Sequence, residues 1–259
     1  MKPLIFDTDL GRQKPENIRN TKGICPFCNR KELINILDTD GDIIWLMNKY
    51  PVLDKSWPTV IIETTDCHAE FSKLPLEEAT HILDFSLSKW RETIASKRFA
   101  SVLYLKNFGP MSGGSLKHPH SQIIGLYEKD YKETIHKLHF EGRPIYESEH
   151  LKMTLSTHPL IGFYEFNIIT TKDVSLPLLT KQLQGTLRYL LESFSANTSS
   201  YNYFFYDLED DLTYTKIVPR YMTSPIFVGY GLPQISNERR SLEVISQLQT
   251  YLLSPGESI

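Results

Sequence analysis

Two histidines flank a proline in GGSLKHPHSQIIG, Gly113 to Gly125, with glycines ahead of them and a glutamine close behind. His118 and His120 are two apart, so on an extended strand they point the same way, and Gln122 joins that face. Upstream, Asn107 ends a predicted strand. Gly109, Gly113 and Gly114 make a loop able to approach a ligand closely, and Ser115 offers a hydroxyl. Such a loop presents backbone N–H groups to phosphate oxygens. An imidazole facing that cradle can attack an α-phosphorus and carry the nucleotidyl group covalently. Gln122 can donate a hydrogen bond to a phosphoryl oxygen. A neutral amide cannot protonate a leaving group, so the pattern favours transfer to a second phosphate over hydrolysis.

His118 has a different use. Cys25-Pro-Phe-Cys28 offers two thiolates from one tight turn, half of a tetrahedral zinc site. No thioredoxin-like strand leads into it, which weakens a redox reading. Cys67 and His68 follow the VIIETT strand, so either Cys25, Cys28, Cys67 and His118 or a set with His68 in place of Cys67 completes four ligands. Cys67 is favoured, because an unused thiol beside such a site is an oxidation liability. The other histidines considered, His81, His136, His139 and His158, read as hydrogen-bonded core residues.

These residues need elements to hold them. Asp40-Gly41 predicts a hairpin between INILD and DIIWLMN, and Val60–Ile62 predicts a further strand. Helical spacing of Ala79, Ile82, Leu83, Leu87, Trp90 and Ile94 follows Pro75, then come the strands SVLYLKN and IIGLY. The order recurs with FNIITT, a helix carrying Leu179, Leu183, Leu187, Leu190, Leu191 and Phe194, and the strand YNYFFYD. The expectation is an α+β fold of two related antiparallel-sheet-plus-helix units packed as one compact body, 1–145 and 146–259. The boundary is placed near EGRPIYESEH, and a last helix near Asn237 turns Leu242, Ile245 and Leu252 inward. The second unit is read as degenerate, with KIVPRYMTSP at the place of HPHSQ. Arg12 and Lys14 read as a solvated arm, Arg220 as a residue completing the site, and DLEDD as a hairpin connection.

The 259 residues carry a net charge of -3, which argues against a nucleic-acid polymer as partner, and no apolar run reaches membrane-spanning length. The start, MKPLIFDTDLG, lacks a signal-peptide core, so the expected location is the cytoplasm.

CPFC, NKYPVL, IIETTDCH, KNFGPMSGGSLKHPHSQI and PRYMTSPIFVGYG together resemble the galactose-1-phosphate uridylyltransferase branch of the histidine triad (HIT) superfamily, and within it a smaller bacterial uridylyltransferase-like group. The resemblance implies a HIT-like fold and a ping-pong reaction through a nucleotidyl-His120 intermediate. It implies a structural zinc ion held by His118 with Cys25 and Cys28, and a phosphate contact from Gln122. Nucleotide contacts are implied for Asn107 and Ser115, with Asn48 of NKYP on the base or nucleotide sugar. The implied partners are a nucleotide and a phosphorylated small-molecule acceptor, with no membrane; base preference, uridine or adenosine, and oligomeric state, a homodimer included, stay open. Departures remove the hexose contacts: Gly231 follows Val228-Gly229-Tyr230 where the family has glutamate, and Pro225 stands where it has lysine. Cys67 stands where the family usually has histidine, and no histidine lies beyond His158 to build the family's second metal site. A dinucleoside-polyphosphate phosphorylase, an adenylyl-sulfate transferase and a silent nucleotide sensor are the alternative readings.

Overall fold

A computed structural model describes residues 3–18, 25–195 and 198–253. Its contacts group into two units, Met1–Phe71 with His81–Thr134, and Ser72–Thr80 with Ile135–Ile259. The first contains a short helix α1 (Thr8–Arg12), capped by Asp7, and strands β1 (Ile36–Asp40), β2 (Ile43–Met47) and β3 (Ser56–Ile62). Helix α2 (Leu76–Ala95) from His81 onward, β4 (Ser101–Phe108) and β5 (His120–Leu126) follow. Strand order in this unit is β1-β2-β3-β5-β4, every neighbour antiparallel. Gly41, at φ 56, makes the tight β1–β2 turn at low cost because it has no Cβ.

Alternation along β2, β3 and β5 divides the sheet into two faces. One carries Trp45, Thr59, Ile61, Ile123 and Tyr104, and meets α2 through Trp90, whose ring lies 6.3 Å from Tyr104. The Trp45 indole donates to Thr59 Oγ1 at 2.8 Å, and that hydroxyl donates to the Ile123 carbonyl at 2.8 Å, so these two buried polar side chains are matched. The opposite face carries Ile44, Leu46, Val60 and Ile62, with Phe27 and Leu33 packed on them. His120 pairs with Ile62 and Gln122 with Val60, which puts the motif on the face the CPFC turn covers.

The second unit contains β6 (Gly142–Glu147), β7 (Leu151–Ser156), β8 (Phe166–Thr171), α3 (Leu176–Tyr189), β9 (Tyr201–Asp207) and β10 (Leu212–Pro219). Helices α4 (Pro225–Tyr230) and α5 (Glu238–Leu253) end it. Strand order is β6-β7-β8-β10-β9, again antiparallel throughout, so the expected repeat is present in topology as well as in element order. The α+β class and the two related antiparallel-sheet-plus-helix units expected from the sequence are those observed.

Several details differ from the sequence reading. Strand β6 spans residue 145, so a division there would cut a strand, and the compact units change at Thr134 and Ile135 instead. KIVPRYMTSP leaves the far end of β10; the counterpart of the HPHSQ entry is the β9–β10 hairpin, where DLEDD makes the connection as expected. Leu242 is 52% exposed, because the inward stripe of α5 runs through Ser241, Val244, Ile245, Leu248 and Leu252. No helix among the described residues is long and apolar enough to cross a membrane.

Candidate functional site

Cys25, Cys28, Cys67 and His118 lie together, with their ligand atoms all within 4.8 Å of one another. His118 Nδ1 is 3.6 Å from the sulfur of Cys25 and 3.6 Å from that of Cys28. Its other nitrogen, Nε2, lies 2.8 Å from the Thr64 carbonyl, which can only accept, so Nε2 carries the hydrogen and Nδ1 the lone pair. That is the arrangement of a metal-ligating histidine, its ring oriented by a backbone acceptor on the far side. His68 is exposed and outside the cluster, so of the two sequence alternatives the structure brings in Cys67.

The thiols affect one another as crowded donors do. Burial opposes ionisation of Cys25, but its contact with His118 and hydrogen bonds from the Cys28 and Phe27 backbone outweigh it and lower its pKa to about 6. Cys67 is pushed up to about 12, first by burial and then by the neighbouring sulfurs. Cys28 is raised, again chiefly by burial. Three sulfurs and one imidazole nitrogen in this spacing fit a tetrahedral, thiophilic divalent metal.

His120 begins β5 and is nearly buried. Its Nδ1 lies 2.7 Å from the His118 carbonyl, to which it donates, so Nε2 holds the lone pair. Burial, with the nearby Lys106 charge adding to it, lowers the His120 pKa to about 4, which keeps the ring neutral and nucleophilic. Gln122 follows two residues along the same face and is half-buried.

The preceding loop is held from inside. Gly113 turns the chain at φ 84, a conformation that favours glycine. Ser112 Oγ donates to the Gly109 carbonyl at 2.7 Å and accepts from Gly114 N–H at 3.2 Å. Gly114 sits against Asn107, since a Cβ built there would lie 3.3 Å from the Asn107 Cβ. The N-terminal segment docks on the same loop: Asn17 N–H donates to the Ser115 carbonyl at 3.0 Å, and Asn17 Oδ1 accepts from Lys117 N–H at 2.7 Å. Asn48 lies in the β2–β3 connection, where its Oδ1 accepts from Tyr50 N–H. Arg220 donates to Asn202 Oδ1 at 2.7 Å within the second unit. His81, His136, His139 and His158 are hydrogen-bonded but lie at or near the surface, a correction to the core reading.

The sequence reading passed over three contributors. Lys106 forms a buried ion pair with Glu63 and reaches the His120 carbonyl at 3.4 Å. Asn17, in an unpatterned arm, had no periodicity to reveal it. The Thr64 carbonyl is a backbone atom, and residue type carries no sign of it.

Residues 6–129 match the description Domain of unknown function (DUF4931) N-terminal domain, and residues 132–252 the C-terminal domain of the same family. A DUF4931 family protein from Bacillus cereus has a crystal structure with a TM-score of 0.77 and 39% identity, covering 85% of this chain and 100% of that one. A solved uridylyltransferase shares the fold, with a TM-score of 0.70 and 18% identity over 89% of this chain and 92% of its own. Among curated proteins, diadenosine 5',5'''-P1,P4-tetraphosphate phosphorylase 2 of Saccharomyces cerevisiae is 30% identical over 121 residues, 45% of this chain and 36% of that protein. Galactose-1-phosphate uridylyltransferase of Thermotoga maritima is 24% identical over 198 residues, 61% of each. The chain thus spans between about a third and three fifths of the curated relatives it matches.

Proposed function

The chain belongs to the DUF4931 family, and on that footing we propose that it is a nucleotidyltransferase, moving a nucleoside monophosphate between phosphorylated substrates through a nucleotidyl-His120 intermediate. The observation that carries this reading is the state of His120. It is a desolvated, neutral imidazole with Nδ1–H committed to the His118 carbonyl, which leaves the Nε2 lone pair for phosphorus.

In the first half-reaction Nε2 attacks the α-phosphorus of a nucleotide, and the bond from that phosphorus to the bridging oxygen breaks. The leaving phosphate or sugar phosphate departs with the electron pair. Positive charge placed on the ring is spread toward Nδ1–H and the His118 carbonyl. In the second half-reaction an oxygen of the acceptor phosphate attacks the same phosphorus, the P–N bond breaks, and its electron pair returns to Nε2. Gln122 donates to a phosphoryl oxygen, while Asn107, Ser115 and the Gly113–Gly114 turn receive the phosphates, and Asn48 contacts the base or sugar. Cys25, Cys28, Cys67 and His118 would hold zinc in a structural role, with no open position needed for the chemistry.

The similarity to the yeast phosphorylase favours one second reading, in which the substrate is a dinucleoside polyphosphate and the acceptor inorganic phosphate. The residue roles are unchanged.

Incubation with UTP, ATP, UDP-sugars and diadenosine polyphosphates, each labelled at the α-phosphorus, should place an acid-labile label on His120. The nucleotide that labels it reports the base. Binding of a nucleotide without label from any donor would refute the transferase and leave a sensor. His120→Ala should remove the label and keep the metal; loss of metal in that variant would mean the two histidine roles are reversed.

A further inference from the structure

The CPFC turn does more than supply two sulfurs. Phe27, between Cys25 and Cys28, puts its ring 5.9 Å from that of His118 at an interplanar angle of 89°, and 5.5 Å from that of His120 at 70°. Both contacts are edge-to-face, a favourable geometry for aromatic rings. The same side chain packs on the cluster of Ile44, Leu46, Val60 and Ile62, so the sheet beneath fixes its position. One aromatic ring therefore touches a metal ligand, the proposed nucleophile and the strands that carry the nucleophile.

We propose that Phe27 is a positioning residue for His120, coupling closure of the cysteine turn to the orientation of the reactive imidazole. The Nδ1–H bond to the His118 carbonyl ties His120 at one point, which leaves the ring free to swing about it. Phe27 removes that freedom by filling one side of the ring, and it keeps water from that side. A metal held by Cys25, Cys28, Cys67 and His118 would then act on the reaction only indirectly: the folded turn places Phe27, and Phe27 holds His120. The activity readout rests on the nucleotidyl-transfer reading, whereas the spectroscopic one does not.

The test compares Phe27→Leu, Phe27→Tyr and Leu33→Ala in the metal-loaded chain. Leu33 packs on the same cluster and serves as the control for lost packing. Metal content, the ring ¹⁵N and ¹H signals of His120, and the rate of His120 labelling are measured in each. Phe27→Leu should retain metal, shift and broaden the His120 ring signals, and label about tenfold to a hundredfold more slowly, the scale of a nucleophile misplaced by an ångström. Phe27→Tyr should restore most of both. Leu33→Ala should leave the His120 signals near those of the parent chain.

Unchanged His120 signals in Phe27→Leu would overturn the proposal. So would loss of metal in that variant, which would make Phe27 a part of the knuckle alone, or an equal effect of Leu33→Ala. If the parent chain takes no label from any nucleotide, the transferase reading falls while the ring signals still decide the role of Phe27.

Discussion

Exchanging Cys67 tests the cluster at its least certain corner from the sequence side, because His68 beside it has a competing claim. The structure places the Cys67 sulfur with those of Cys25 and Cys28 and leaves His68 exposed. Cys67→Ala should therefore lower metal affinity by roughly tenfold or more, since a four-ligand site becomes three. His68→Ala should leave affinity within a factor of about two, because an exposed imidazole outside the ligand set contributes little to it. Competition with a chromogenic chelator measures both, and a larger loss from His68→Ala would reassign the ligand. The donor set was legible because residue type and spacing limit metal chemistry. The orienting groups were not: the Thr64 and His118 carbonyls that fix the two tautomers are backbone atoms.

Among the elements, β4 carries an unusual burden for a strand of mostly apolar residues. Its Lys106 is almost fully buried and pairs with Glu63, at the end of β3, with the Phe71 ring 5.9 Å beneath the ammonium. Glu63 N–H also donates to the Pro119 carbonyl at 3.2 Å, so the pair flanks the HPH segment on both sides. Removing one partner strands a buried charge. Lys106→Met should destabilise the chain by about 3–5 kcal/mol. Lys106→Met with Glu63→Leu should cost clearly less than the two single changes summed, because no charge is then left alone. Urea unfolding of the four-member cycle gives the coupling, and additivity would mean the pair is not a unit. Element type was readable wherever apolar residues alternated or recurred at helical spacing, as in FNIITT and YNYFFYD. Strand β6 was the harder case. Among the described residues it pairs with β7 alone, and GRPIYE carries a glycine and a proline with only Ile145 buried, so its sequence commits to no element.

At the scale of the whole chain, the repeat could be inferred because two halves with faint identity share one order of elements, and order is what the hydrophobic pattern records. The asymmetry between the halves has a physical consequence. All four candidate metal ligands belong to the first unit, and they join Cys25 and Cys28 to His118 across 93 and 90 residues. The second unit has a buried pair of its own, Lys216 with Glu165 at 2.9 Å, and Lys216 also donates to Asn167 Oδ1 and the His139 carbonyl. Among the described residues its side chains form no group of three or more metal-ligating donors. Metal removal should therefore weaken one unit selectively. A metal at about a thousand times its Kd stabilises by about 4 kcal/mol, and for domains of this size that is a fall in Tm of roughly 8–16 °C on chelation. Amide exchange locates the loss. Protection at Ile123 and neighbouring β5 amides should drop in the chelated protein, while Ile168 in β8 and Ile217 in β10 should hold theirs. Equal loss in β8 and β10 would mean that the metal stabilises both units alike, and the division of labour inferred from the ligand positions would fail.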